Sequence, residues 1–303
     1  MAAHALLVEE KCPKTSISYL GAFLNGKHLD FGPLTPDVHL FANHKNGIYF
    51  AMDRKDPATS IVYSRDILVK DLGQRWRKVC ERPPGELTDL VEHKGQLTDV
   101  LVQLGMYSAS SSTSLWQTGT NSVHPGGIHP YLGNAPPSAM LHLGNLFTFR
   151  RGAIQRNGCV HQDLVNNQAG FQPNQYAGEE FTSLGRNEQT LLAATNKYRL
   201  FDIVNKLALK TLPKPPVMAQ NSVPAKANVL AKANAEDTYA LAGTGSIAYY
   251  AVKQDKNAIY GTNYQAKHAT LSHFGLPEQR EVTRFIIVPQ TVVEDPSLQK
   301  GLF

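Results

Sequence analysis

The stretch VHLFANHKNGIYFAM, residues 38–52, sets two short apolar and aromatic runs on either side of Asn46-Gly47. Asn-Gly suits the two-residue hairpin turn in which both central residues take positive φ, the turn whose twist matches that of paired strands. The stretch therefore predicts an antiparallel hairpin. Two further copies of the signal occur. Asn25-Gly26 separates residues 16–24 from 27–31, and Asn157-Gly158 separates 146–150 from 159–165. With the β-branched runs at 60–63 and 67–69, the first two hairpins make residues 1–82 a β-meander. Strands are expected again at 246–252 and 283–288.

Two segments carry the period of a helix. In residues 86–104, Leu87, Leu90, Val91, Leu97, Leu101 and Leu104 fall on one side and Asp89, Glu92 and Asp99 on the other. In residues 188–212, Leu200, Val204, Leu207 and Leu212 form a wide apolar arc beside a stripe of Arg199, Asp202, Lys206 and Lys210. The expected fold class is thus β-rich α+β: antiparallel sheets with Asn-Gly hairpins, two amphipathic helices and long polar loops. We read one structural unit, 1–303. Its parts are the meander 1–82, a helix at 83–106, a loop region with a hairpin at 107–187, a helical segment with a Pro-rich basic connector at 188–242, and C-terminal strands at 243–303. No internal repeat is read. The breaker-rich residues 107–140 suggest a gripping arm, and 225–235 an Ala-rich helix.

The chain has 303 residues, 42% hydrophobic and 18% charged, with net charge +5. A surface so poor in charge repels its copies weakly. Cys12, Cys80 and Cys159 form no pair and no disulfide framework, which implies free thiols and cytoplasmic folding. No apolar run is long enough to span a bilayer, so no membrane role is expected. The basic excess is local: residues 197–232 hold seven Lys or Arg against Asp202 alone.

Candidate chemistry is sparse. The segment Gly47 to Ala51 resembles the glycine-tyrosine-phenylalanine-alanine strand of the poly(ADP-ribose) polymerase type of ADP-ribosyltransferase. That resemblance implies a His-Gly pair for nicotinamide, and the sequence has none. His124, His129, His142, Cys159 and His161 offer nitrogen and sulfur ligands within one region, a possible zinc set or metal-enzyme site. Cys159 with His161 and Asp163 has the residue types of a thiol nucleophile and its base. Gly243 to Ser246 precedes a strand, the wrong order for a phosphate loop and the right one for a turn. Glu179 and Glu180, on a strand, face opposite ways. The basic tract of Arg199, Lys206, Lys210, Lys214, Lys226 and Lys232 would contact nucleic-acid phosphates without reading sequence.

No cofactor is implied and no enzyme is expected. The leading expectation is a self-assembling subunit of a viral or phage-like particle, its partner further copies of itself. A nucleic-acid-binding subunit of a ribonucleoprotein-like assembly comes second, and a metal-dependent enzyme using the His124–His161 region third.

Overall fold

The computed structural model describes residues 4–44, 47–82, 86–93, 96–104, 111–117, 123–124, 138–143, 145–150, 153–156, 159–163, 176, 178–188, 190–213, 238–268, 270–277 and 279–299. The described chain is built from antiparallel four-stranded units. The first unit joins the two ends of the chain. Its strands are β1 (His4–Lys11), β2 (Ser18–Leu24) and β3 (Lys27–Pro33), with β24 (Glu281–Pro289) paired to β1. The second is β4 (Val38–His44), β5 (Gly47–Lys55), β6 (Val62–Asp71) and β7 (Arg77–Arg82). The third is β8 (Glu86–His93), β9 (Gln96–Leu104), β10 (Ser111–Gln117) and β11 (Val123–His124). The fourth is β12 (Ser138–His142), β13 (Asn145–Arg150), β14 (Ala153–Arg156) and β15 (Cys159–Asp163). The fifth is β16 (Phe181–Asn187), β17 (Thr190–Thr195), β18 (Arg199–Asp202) and β19 (Leu207–Thr211). The sixth is β20 (Thr238–Thr244), β21 (Ile247–Val252), β22 (Asp255–Asn263) and β23 (Ser272–Gly275).

The leading strands of neighbouring units pack in the circular order β24, β4, β8, β12, β16, β20 and back to β24. Six four-stranded sheets ranged around one axis, closed by a terminal strand, make a six-bladed β-propeller. Its core lies between blades. Leu7, Leu20, Val38, Leu40 and Phe50 fill the seam between blades one and two. Tyr49, Ile67, Leu87 and Leu90 fill the next seam.

The fold corrects the α+β expectation: neither amphipathic helix exists. Residues 86–104 are the hairpin β8–β9, with His93 opposite Gln96. Lys94-Gly95, at the middle of the supposed helix, lie outside the described residues, between the end of β8 and the start of β9. Leu87, Leu90, Leu97 and their neighbours satisfy a period of 3.6 only because a two-residue connection and a register shift between Leu87 and Asp89 break the alternation. Residues 188–212 hold β17, β18 and β19. Glu188, Tyr198 and Lys206 have φ of 32°, 62° and 55°, which a right-handed helix excludes. Leu191 to Thr195 are all buried, as in a strand covered on both faces. The helical segment expected within 188–242 is therefore sheet as far as Thr211. The rest of the Pro-rich connector beyond Pro213, and the Ala-rich 225–235, lie outside the described residues. The reading of no internal repeat also fails. In blades two to six the first two strands are separated by the residue pairs 45–46, 94–95, 143–144, 188–189 and 245–246. These pairs recur about every fifty residues, the period of a propeller blade.

Asn25 and Gly26 take φ of 51° and 76°, the expected hairpin turn between β2 and β3. At residues 38–52 the hairpin forms one residue earlier than the motif suggests. His44 pairs with Gly47, so Gly47 opens β5, and its missing side chain makes room for the Lys70 carbonyl. Around Asn157-Gly158 the partner of β15 is β14, with Arg156 opposite Cys159, and not residues 146–150. Within the region expected as an arm, β10 pairs with β9 and β11 with β10 as sheet.

Ring closure is reinforced beyond the strand ladder. A register shift in β1 between Glu9 and Glu10 buries both adjacent carboxylates. Glu9 Oε2 accepts from the Leu40 amide at 2.8 Å, and its Oε1 meets His39 Nδ1 at 3.0 Å, tying blade one to blade two. Glu10 meets His28 at 2.6 Å and Arg280 at 3.0 Å, and Arg280 also meets Asp30 at 2.7 Å. After β24 the chain forms two single-turn helices, α1 (Gln290–Val293) and α2 (Pro296–Gln299). Val292, Val293 and Leu298 sink into the core of blades one and two. Lys70 Nζ holds Ser297 Oγ at 2.7 Å, and Asp295 accepts from the Gly73 amide at 2.7 Å.

Candidate functional site: the central cavity

The six leading strands enclose a cavity of about 670 Å³ on the propeller axis. That size falls in the range of small-molecule sites. Every blade contributes to its wall, because each leading strand presents an edge and the adjoining side chains toward the axis. The wall is mixed. Phe41, Leu87, Met140, Leu241 and Phe285 supply apolar surface; Asp89, Arg186, Glu188 and Arg284 supply charge.

Three of these charges are committed to holding the ring. Asp89, 5% exposed, accepts from the Leu141 amide at 2.6 Å and from the Arg186 guanidinium. Arg186 donates to the Leu141 carbonyl through Nε at 3.1 Å and Nη2 at 2.8 Å. Blades three, four and five are thereby clipped together by one buried charge-assisted network. Glu188 accepts from Thr244 Oγ1 at 3.0 Å, across the seam between blades five and six. The fourth charge stacks on an aromatic ring. The Arg284 guanidinium lies over the Phe41 ring, Cζ 3.9 Å from the centroid. The cation–π contact uses the guanidinium face, while its N–H donors lie in the guanidinium plane.

Thr182, Ser183 and Tyr239 line the side of the cavity formed by blades five and six, and their hydroxyls are bonded within the protein. Thr238 Oγ1, fully buried, lies 2.8 Å from Thr182 Oγ1 and 3.1 Å from Ser183 Oγ. Tyr239 donates its phenol proton to the Val282 carbonyl at 2.7 Å. Burial first, then the charges of Glu281 and Asp255, push the Tyr239 phenol well above its ordinary value, so it stays protonated. The wall combines apolar surface with polar groups that are bonded to one another across the blades.

The residues singled out from sequence fall elsewhere. Arg199, on β18, pairs with the buried Glu179 at 2.7 Å and sits 5.3 Å over the Tyr176 ring. Lys206 is exposed in the turn between β18 and β19, and Lys210 lies on β19. The three occupy strand and turn positions and not one helical stripe. Lys214, Lys226 and Lys232 lie outside the described residues, as does His129. His124 is on β11, at the far edge of blade three, and His142 on the leading strand of blade four. Cys159 and His161 are on β15, three strands from β12 and so about 14 Å across the sheet. Among the described residues no group of three or more His, Cys, Asp or Glu is placed to hold a metal ion. Also among them, no helix is long and apolar enough to cross a membrane.

Sequence reading missed the cavity residues. Asp89 and Arg186 are 97 positions apart and meet only when the ring closes. A local signal existed for two of the four cavity charges: Asp89 stands among Leu87, Leu90 and Val91, and Arg284 in the run from Val282 to Val288. A lone charge inside an apolar strand marks a partner or a site.

No protein-family model and no curated protein matches the chain in sequence. Solved structures match it in shape. A puromycin-hydrolyzing peptidase of Mycobacterium tuberculosis aligns at TM-score 0.41 and 13% identity, over 86% of this chain and 42% of that one. A structure from a study of two prolyl endopeptidases aligns at TM-score 0.46 and 12% identity, over 93% and 43%. Hsv2 of Kluyveromyces lactis aligns at TM-score 0.40 and 10% identity, over 87% and 74%. The chain thus spans less than half the length of the first two proteins it matches.

Proposed function

We propose that this protein is a ligand-binding propeller that takes a small molecule into its central cavity without covalent chemistry. One observation carries the reading: a cavity of about 670 Å³ to which all six leading strands contribute, with apolar, hydroxyl and cationic groups on its wall. Sites of this kind combine apolar surface with a few placed polar groups. Among the polar groups here, Asp89 and Arg186 hold the ring.

The test is a fluorinated-fragment binding screen by NMR on the whole chain and on Ala242→Phe, which fills the cavity from its wall. Fragments that bind the wild-type chain and lose binding in the variant support the reading. Hits whose binding is unchanged by Ala242→Phe, with both proteins folded by circular dichroism, overturn it.

A further inference from the structure

We infer that the guest is an uncharged, mainly apolar molecule. The inference rests on the cavity-binding reading and names the chemical class. Four large apolar side chains on the wall stop short of full burial. Phe41, Met140, Ile286 and Ile287 each pack on the core of a seam, yet each keeps part of its surface exposed. All four line the cavity, and they come from blades two, four and one. Apolar surface that the seams leave uncovered is thus brought together around the axis. A body that covers it gains hydrophobic free energy that the fold by itself leaves unused.

The charges on the wall disfavour an ion of either sign. The wall holds two acids, Asp89 and Glu188, and two arginines, Arg186 and Arg284, so these fixed charges balance. Each is engaged within the protein. Asp89 takes the Arg186 guanidinium and the Leu141 amide, and Arg186 takes the Leu141 carbonyl. Glu188 takes the Thr244 hydroxyl. Arg284 stacks on Phe41 and makes a further contact besides. His4 also lines the cavity and is exposed to solvent. An ion taken inside would shed its water and gain a counter-charge only by disturbing one of these contacts, whereas a neutral body disturbs none.

Calorimetric titration of the whole chain separates body from head. Butanol, hexanol and octanol vary the body; hexanoate and hexylamine, both charged at neutral pH, vary the head on the hexyl chain. Affinity for the alcohols is expected to rise about fourfold per added methylene. Hexanol is expected to bind about tenfold more tightly than either ion. Met140→Lys sets a new cation on the wall, and it is expected to weaken hexanol and to bring hexanoate above it. A melting curve establishes that the variant is folded; should it not fold, the wild-type rankings decide alone. An ion that matches hexanol in the wild-type chain overturns the inference, as do alcohols whose affinity does not grow with length, or a folded Met140→Lys that keeps the wild-type ranking. In each of these cases, loss of binding in Ala242→Phe leaves the cavity reading standing. Hexanol binding that Ala242→Phe does not change, or no binding by any of the five compounds, overturns both.

Discussion

The seam between blades one and two and the seam between blades five and six solve one problem in different ways. Each must join two sheets that diverge from a common axis. The first is filled. Large apolar side chains and the terminal segment 290–299 occupy it, and the buried Glu9 spans it by gripping His39 and the Leu40 amide. The second is packed as well, by Leu192, Tyr198, Leu200, Leu241, Tyr250 and Tyr260, but its inner edge is bare. Gly185 and Gly243 remove side chains from that edge, so β16 and β20 come close enough to pair in parallel, Asn187 beside Gly243. Beside the Glu188–Thr244 contact the ties there are neutral: Asn187 donates to the Gly245 carbonyl and to the Tyr264 hydroxyl, and Tyr264 donates to the same carbonyl, each at 2.8 Å. The first seam depends on volume and a buried charge; the second adds to its volume a close approach that depends on having nothing in the way.

The comparison breaks most sharply at Gly185. A Cβ there would overlap the Leu241 carbonyl oxygen, a backbone atom that cannot turn aside. Gly185→Val is expected to cost about 3 kcal/mol, the upper end for overpacking, read as a lower urea midpoint. The parallel pairing should fail with it, visible as faster hydrogen exchange in β16 and β20 than in β1 and β4. Equal exchange at both seams would show that the close approach is incidental.

The filled seam has its own test at Glu9. Glu9→Leu leaves the buried Leu40 amide with its acceptor removed, at an expected cost of about 2 kcal/mol. Glu9→Gln keeps an oxygen for that amide and gives up the charge to His39, so it should recover most of the loss. If the two variants are equally unstable in urea, the seam depends on the charge and not on the capped amide.

Acid and alkali should then attack different blades of the ring. Asp66, Asp30 and Asp295 lie on the first two blades and the terminal segment. Burial raises each carboxyl, but Lys78 and Arg54 beside Asp66, Arg280 beside Asp30, and the Ser297 and Gly73 amides on Asp295 outweigh it, and all three stay below the usual carboxylate value. Below about pH 4 the unfolded chain binds these protons first, so stability is lost as pH falls through the folded values. Blade six carries the opposite case. Burial raises the phenols of Tyr239, Tyr249, Tyr250, Tyr260 and Tyr264. Their contribution is complete below about pH 10 and is lost as pH rises from there toward the folded values. Hydrogen exchange should therefore open blades one and two first at pH 3, and blade six first at pH 10.5. Uniform opening at both extremes would mean that net charge, and not these groups, governs the limits.

The legibility of this fold followed the range of the interactions. Asn25-Gly26 was readable because a turn is decided by two residues. Lys94-Gly95 was not, because a glycine inside an apolar pattern is compatible with a weakened helix, and only the pairing of β8 with β9 decides. The repeat escaped because it resides in the spacing of hairpin connections: His44, His93 and His142 close equivalent strands, whereas Asn187 and Thr244 do so in the next two blades. Glu9 and Glu10 end an apolar run and look like a strand meeting solvent. Their burial depends on a register shift and on partners as distant as Arg280. The cavity is least legible of all, since its wall takes a few residues from each of six separated strands.

The smallest expected effect tests whether the two donors on the Gly245 carbonyl are redundant. Tyr264→Phe removes one donor from the Gly245 carbonyl, but Asn187 still donates to it, so the cost should be about 1 kcal/mol. Asn187→Ala leaves the same carbonyl with Tyr264, and its cost should be similar. The double variant strips both donors from one carbonyl between two blades. Its destabilisation in urea should exceed the sum of the two single changes, since only then is the acceptor left without either donor. Simple additivity would mean that water replaces them, and that the packed cluster and the close approach at Gly185 and Gly243 hold blades five and six together without them.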